Sequence, residues 1–349
     1  MEVILFRSSA NSSDLNHPWG RLPPEQRPQA RFIDLDQGLA KAKQQLESIT
    51  DQRKLVFAYP CEWMDGLECV VDPSLAFRLE SKRFLCQNNI PTPTLEMLSL
   101  HGEYLRRLET KELPFVVKFP QASSSYGTFL VTSSKQRKEM LASVERFRLR
   151  GGDEIQVSSY VKAKHNYCVQ CFVSPDLRGD QPLIIAVTWQ MFTGDGTGSG
   201  AIIDYAEQDD LRASLCCITA QTIEALPIEF VGWIGIDVLV DEVGRQYVID
   251  LNPRMTGSMP ICLLSRYFWK EQQLRFAQTG SFSYVGRSED VDDLLREDVD
   301  AGAVVIIANV TIDDNKPLVQ IWLVWAAADE NLLSEMYYRI CGRLGCMES

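Results

Sequence analysis

The chain is poor in histidine and in cations. Its three histidines, His17, His101 and His165, are scattered along 349 residues, so no zinc site is visible. Lys and Arg number 35 against 47 Asp and Glu, a formal net charge of −12. An acidic surface repels phosphate backbones and anionic lipid, which argues against nucleic acid and membrane as partners. Long apolar runs are also missing. The longest, Ala301–Ile312 and Leu318–Ala328, are too short and too interrupted to span a bilayer and suit buried strands. The opening MEVILF is short and starts acidic, unlike a secretion signal. Two familiar phosphate motifs are absent: neither G-x-x-x-x-G-K-[ST] nor G-x-G-x-x-G occurs. No internal repeat or low-complexity tract stands out.

What remains is an ordinary globular composition, 45% hydrophobic and 23% charged, long enough for two or three subdomains with their own cores. Ten cysteines without a secretion signal suggest reduced thiols and a cytoplasmic protein. The single C-x-x-C, Cys168 to Cys171, lies in a run that reads as a strand. Positions three apart on a strand point to opposite faces, so core thiols are favoured over a metal pair.

The stretch Gly235–Ser258, GIDVLVDEVGRQYVIDLNPRMTGS, carries the most chemistry. It reads as a β-hairpin. With a two-residue turn at Val243-Gly244, Glu242 faces Arg245, Val240 faces Tyr247, Val238 faces Ile249, and Asp237 faces Asp250. Asn252 then shares the face of Asp250. Two carboxylates held together are costly unless a cation sits between them. A hard divalent ion such as Mg2+, bridging to phosphates, suits an all-oxygen set. A solvated hairpin face with accidental acids is the plainer alternative.

Upstream, Glu112–Val131 has the apolar run Phe115-Val116-Val117, then Lys118, then a loop of small residues from Ser123 to Thr128, then a second apolar run. A lysine at a strand end puts a point charge on phosphate, and backbone N–H groups of a Ser/Gly loop can close over phosphates. A hairpin with a Ser/Gly loop is common, so this segment alone decides little.

In this order the two segments resemble the ATP-grasp superfamily. The residues that carry the resemblance are Arg78 and Lys82 in FRLESKRFLCQNNIPTP, Lys118 with the loop Ser123, Ser124, Ser125 and Gly127, the segment EIQVSSYV, Asp237 in GIDVLV, and Asp250, Asn252 and Arg254 in IDLNPR. It covers about Ala76 to Leu264. The family's usual lysine thirteen residues ahead of the proline of the P-T-P turn is here Arg78, ahead of Pro91. The second metal carboxylate, most often Glu, is Asp250. The adenine-side segment ends in Ser158-Ser159 rather than Glu, and His165 stands where another acid is often seen.

The resemblance implies an α/β (α+β) protein with a small N-terminal α/β domain at 1–73, grasp subdomains at 74–156 and 157–264, and a C-terminal α+β extension at 265–349. In the first block, MEVILFR and LVFAYP read as strands around a helix from Leu39 to Ile49, and Asn11–Pro28 as a loop. Further on, helices are expected over Ser74–Asn88, Ser134–Arg150, Tyr267–Ala277 and Glu330–Arg343, strands over Ala303–Thr311 and Pro317–Val324, and a solvated connector over Glu289–Asp300. Trp322 and Trp325 could line a pocket, with core burial favoured. The glycine-dense segment Thr193–Gly200 is either a hairpin tip or a lid over substrate.

The resemblance also implies the chemistry. ATP phosphorylates a small carboxylic acid, and an amine attacks the acyl phosphate to give an amide. Asp237, Asp250 and Asn252 hold Mg2+, with Mn2+ an acceptable substitute. Arg78 and Lys118 neutralise phosphate. Gln156, Ser158, Tyr160, Val161 and His165 contact the nucleotide with the loop residues. Arg254 and Lys118 are the catalytic candidates. Arg254, Gln190, Gly257 and Ser258 are the substrate candidates, although Gly257-Ser258 could be an ordinary helix cap. A homodimer is compatible with all of this. The alternatives are a grasp-fold kinase that stops at a phosphorylated product and a nucleotide-binding protein without turnover.

Overall fold

Two antiparallel sheets face each other across a cleft in the computed structural model, which describes residues 2–7, 29–34, 37–50, 53–57, 62–64, 66–121, 127–179, 181–192, 198–313 and 318–345. At the N-terminus β1 (Glu2–Arg7) pairs in parallel with β2 (Gln29–Asp34), and α1 (Leu39–Thr50) follows, burying Ala42 and Leu46. The expected strand at LVFAYP is not the partner of β1. Leu55 makes only an isolated bridge to Cys69, and residues 58–60, like the loop expected at 11–28, lie outside the described residues.

The helix expected over Ser74–Asn88 is two helices. α2 (Pro73–Glu80) starts with proline at its first position and Asp72 as cap, whose side chain accepts from the Leu75 N–H at 2.9 Å. It stops because Ser81 is extended, with ψ of 131°. Ser81 then caps α3 (Lys82–Gln87). The break re-aims the chain, so Lys82 points inward while Arg78 stays outside.

The smaller sheet is built from β3 (Leu95–Ser99), β4 (Phe115–Lys118), β5 (Thr128–Val131) and β6 (Glu154–Ser159) in the order β3-β6-β4-β5. Helices α4 (Tyr104–Thr110) and α5 (Ser134–Leu149) cover its back, and Phe115, Val117, Met140, Val144 and Ile155 fill the core between them. The alternation in β4 leaves Val116 on the cleft side, with Lys118 closing the strand.

The larger sheet has eight strands. They are β7 (Ala163–Val173), β8 (Leu183–Phe192), β9 (Gly198–Asp204), β10 (Gly232–Asp241), β11 (Gln246–Asn252), β12 (Phe276–Val285), β13 (Val304–Asp313) and β14 (Leu318–Ala327), in the order β11-β10-β7-β8-β9-β12-β14-β13. α6 (Gln208–Ala225) packs Leu215, Ile218 and Ile223 against its back with α2 beside it. Three strands from beyond residue 264 therefore continue the sheet that holds the hairpin, and β12 pairs directly with β9. Chain order did not reveal this, because such pairing is long-range.

After the hairpin, α7 (Met259–Leu263) is five residues long. Two other expectations change. The segment Arg266–Glu271 is a short π-helical turn, and Phe276 and Ala277 already belong to β12. The acidic stretch after Ser288 is a helix, α8 (Ser288–Asp300). Its Val291 and Leu295 are buried, and so is Asp298 on the same face, where it pairs with Arg339 and Arg343 of the last helix. α9 (Glu330–Leu344) packs beside it, with Leu333, Met336 and Ile340 buried. No described helix is long and apolar enough to cross a membrane.

Candidate nucleotide and metal site

A cleft of about 640 Å3 lies between the sheets. Its centre is the hairpin β10–β11, where Asp237 faces Asp250 and Gly235 faces Asn252. The register near the turn differs from expectation. Asp241 N–H bonds Arg245 C=O, and Glu242, Val243 and Gly244 form the loop, with Gly244 at φ 84°. Val238 thus pairs with Val248, one residue out of the expected register. A bulge then leaves Ile249 unpaired and restores the aspartates to opposition. The freed Ile249 carbonyl accepts a hydrogen bond from Lys118 Nζ at 2.9 Å.

The carboxylates sit among compensating groups. Gln190 Nε2 donates to Asp237 Oδ1 at 2.7 Å, and Asn252 Nδ2 reaches Asp237 Oδ2 at 3.4 Å. Lys82, only 1% exposed, places Nζ 2.5 Å from Asp250 Oδ1. Burial, and then the charge of Asp250, push the Asp237 carboxyl up to about 6. Burial pulls the Lys118 ammonium below the ordinary lysine range, against the opposing pull of Asp250. The Cys168 thiol, paired across the sheet with Asp237, is raised by burial and by that carboxylate, so it is an inert wall of the cleft. Cys171 is in the core on the other face, as alternation requires.

Arg254 is buried. Its Nε lies 3.6 Å from Glu80 Oε1, and its Nη2 donates to Asn252 Oδ1 at 3.3 Å. Beyond it Gln170 Nε2 donates to Thr256 Oγ1 at 2.6 Å and to Ser258 Oγ at 2.9 Å, which pins the 256–258 loop to the sheet. Gly257 and Ser258 line the cleft. The helix after them, five residues long, is too short to offer an anion-binding end.

At one end, Pro93, Leu95, Val116 and Leu239 form an apolar slot, with Gln156, Ser158, Tyr160 and Val161 along its edge. Gln156 is buried, and its Nε2 has no hydrogen-bond partner among the described residues. A buried amide donor without a partner is costly, and a planar heteroaromatic acceptor would satisfy it. At the other end lie Gly198–Ala201, Thr279–Ser281 and Trp322, five strand steps from β10 at β14, or roughly 24 Å. Trp322 is 42% exposed and lines the cleft, while Trp325 is buried in the core. The core expectation therefore fails for Trp322.

The structure does not bring every expected residue here. Arg78 is 60% exposed and pairs with Glu229 at 3.3 Å, outside the cleft. The break at Ser81 gives the inward place to Lys82 instead. His165 stacks on Tyr167 at 5.3 Å on the opposite face of β7, and Asn166 takes the cleft side. Counting back by twos from Cys168 would have found Asn166. Gly127 adopts φ 77° with its C=O bonded to Phe119 N–H, beside the cleft. Ser123, Ser124, Ser125 and residues 193–197 lie outside the described residues.

Among the described residues, no group of three or more His, Cys, Asp or Glu could hold a metal alone. Two carboxylates and an amide oxygen are nonetheless a fitting partial set for Mg2+, which is usually held by one or two carboxylates with the remaining positions filled by phosphate oxygens and water. The donor set therefore fits a metal that is shared with a phosphate ligand.

Comparison with known proteins agrees with this geometry. Residues 93–252 match the family model described as L-aspartate–L-methionine ligase, ATP grasp. Among solved structures, an L-amino acid ligase from Bacillus licheniformis superposes with a TM-score of 0.56 at 15% identity, over 98% of this chain and 91% of that one. N5-carboxyaminoimidazole synthetase from Staphylococcus aureus gives 0.54 at 14%, over 99% and 91%. Biotin carboxylase from Campylobacter jejuni gives 0.61 at 11%, over 98% and 85%. No protein of curated function matches the chain. The fold is the ATP-grasp fold. The family match runs from just before β3 to the end of β11 and so covers the smaller sheet and the hairpin side of the larger one.

Proposed function

We propose that the protein is an ATP-dependent carboxylate–amine ligase that joins two small amino-acid-like substrates. The observation that carries this is one cleft in which Asp237 opposes Asp250 beside Lys118 and Arg254, and whose floor continues well past the aspartates onto the C-terminal strands. A nucleotide filling the apolar slot ends its phosphates at the aspartates and leaves the remainder free for a second and third molecule. Similarity to ligases, including one named for L-aspartate and L-methionine and one for L-amino acids, supports the class.

In this reading Asp237, Asp250 and Asn252 hold Mg2+, which screens the charge of the triphosphate. Gln156 Nε2 donates to the base, and Lys118 meets a phosphate oxygen. A substrate carboxylate oxygen attacks the γ-phosphorus and ADP leaves. The amine then attacks the acyl carbon, and phosphate departs with the oxygen it took. Arg254, planar and held by Glu80 and Asn252, faces charge on the transferring group. The 256–258 loop, pinned by Gln170, positions the acid.

The test is a screen of amino acids and small acids, singly and in pairs, for release of ADP and phosphate. Release that needs both an acid and an amine, with an amide as product, supports the ligase. A stable phosphorylated product from one substrate makes it a kinase, and no turnover with any pair leaves a nucleotide-binding protein.

A further inference from the structure

The charges around the aspartate pair balance. Lys82 Nζ lies 2.5 Å from Asp250 Oδ1 and 3.3 Å from the Glu80 carbonyl oxygen, so it is stitched between α2 and the hairpin. Lys118 lies within electrostatic reach of Asp250 and Asp237, held by the Ile249 carbonyl. In the adjoining pair a buried Arg254 meets a largely covered Glu80 at 3.6 Å, and the two compensate each other. Two carboxylates thus meet two ammonium groups before any ligand arrives. Of the two lysines, Lys82 is the one whose ammonium bonds a carboxylate oxygen of the pair. Lys82 does not line the cleft and cannot itself reach far into it.

We propose that Lys82 is a built-in counter-ion that keeps Asp237 and Asp250 from taking up a divalent cation until nucleotide phosphates come with it. The inference rests on the reading of this pair as a metal–nucleotide site. A divalent ion approaching Asp250 meets a fixed ammonium within a few ångströms, in a buried setting where repulsion is weakly screened. Mg2+ is also reluctant to shed water for an incomplete ligand set. The phosphates reverse the balance by adding negative charge and ligand oxygens together. The consequence is that the metal enters with the nucleotide and not before it. Free divalent ions then do not occupy the nucleotide-free cleft.

The test is Mn2+ binding to the full-length protein, followed by paramagnetic resonance of free Mn2+, with and without ADP. Wild type should bind Mn2+ with ADP and at least about tenfold more weakly without it. Lys82→Met should raise the affinity of the nucleotide-free protein for Mn2+ at least about tenfold. Lys82→Gln keeps a donor for Asp250 without the charge and should show the same gain, which covers a Lys82→Met protein that does not fold. Lys82→Met with Asp250→Asn should lose that gain. Wild type that binds Mn2+ equally well without nucleotide overturns the proposal, as does a folded neutral variant with no gain. If wild type fails to bind Mn2+ even with ADP, the metal-site reading falls and takes the proposal with it.

Discussion

Gly235 offers a sharp test of how the 256–258 loop is held. It lies on β10 two residues before Asp237, opposite Asn252 on one side and Gln170 on the other. A Cβ at this position would come within 2.5 Å of Thr256 Cγ2 and 3.2 Å of Cys168 Sγ. Thr256 cannot simply swing aside, because its hydroxyl is engaged by Gln170 at 2.6 Å and lies 3.0 Å from Ser258 Oγ. Gly235→Ala must therefore lift the 256–258 loop or displace β10. Overpacking of this kind costs about 1–3 kcal/mol. Loop displacement near 1 Å at a reacting centre can cost on the order of a hundredfold in rate. Urea unfolding should show the stability loss, and coupled product formation should fall about ten- to a hundredfold while nucleotide affinity stays within about twofold. Thr256→Ser removes the clashing methyl and keeps the hydroxyl, so the double variant should recover most of both losses. A Gly235→Ala protein with wild-type stability and rate, or a double variant with no recovery, refutes the packing argument.

Lys118→Met should abolish measurable nucleotide binding by calorimetry. It should also cost about 1 kcal/mol in urea unfolding, because the partly buried Ile249 carbonyl loses its donor; unchanged affinity would remove Lys118 from the phosphate site. Asp237→Asn should eliminate Mg2+-dependent turnover yet stabilise the nucleotide-free protein at neutral pH. The raised carboxyl favours the folded state below the unfolded carboxylate range, and that advantage is lost as pH rises through about 6. Thermal melts from pH 4 to 8 without nucleotide should thus show a downward slope in wild type that the variant lacks, and a variant less stable than wild type at pH 7.5 would contradict the sign.

The central motif was legible because strand parity is robust. The opposition of Asp237 and Asp250 follows from a two-residue turn, and the structure reaches the same opposition through a longer loop and a compensating bulge at Ile249. Neither deviation is visible in a hydrophobic pattern. The same parity argument, carried one strand further, would have preferred Asn166 to His165. Motif spacing alone selected Arg78, whereas the extended backbone of Ser81 turns Lys82 inward. The far wall of the cleft, Thr279–Ser281 and Trp322, was not legible. It depends on β12 joining β9 across about seventy residues of chain, and no local signal encodes that pairing.

The most direct test of the central claim follows oxygen from acid to phosphate. With a substrate pair identified, the carboxylic acid is labelled with 18O and the released phosphate is analysed by mass spectrometry. A ligase that activates the carboxylate by phosphorylation transfers one labelled oxygen to phosphate for each amide formed, and none to ADP. Unlabelled phosphate alongside amide product would contradict carboxylate phosphorylation and with it the account of this site.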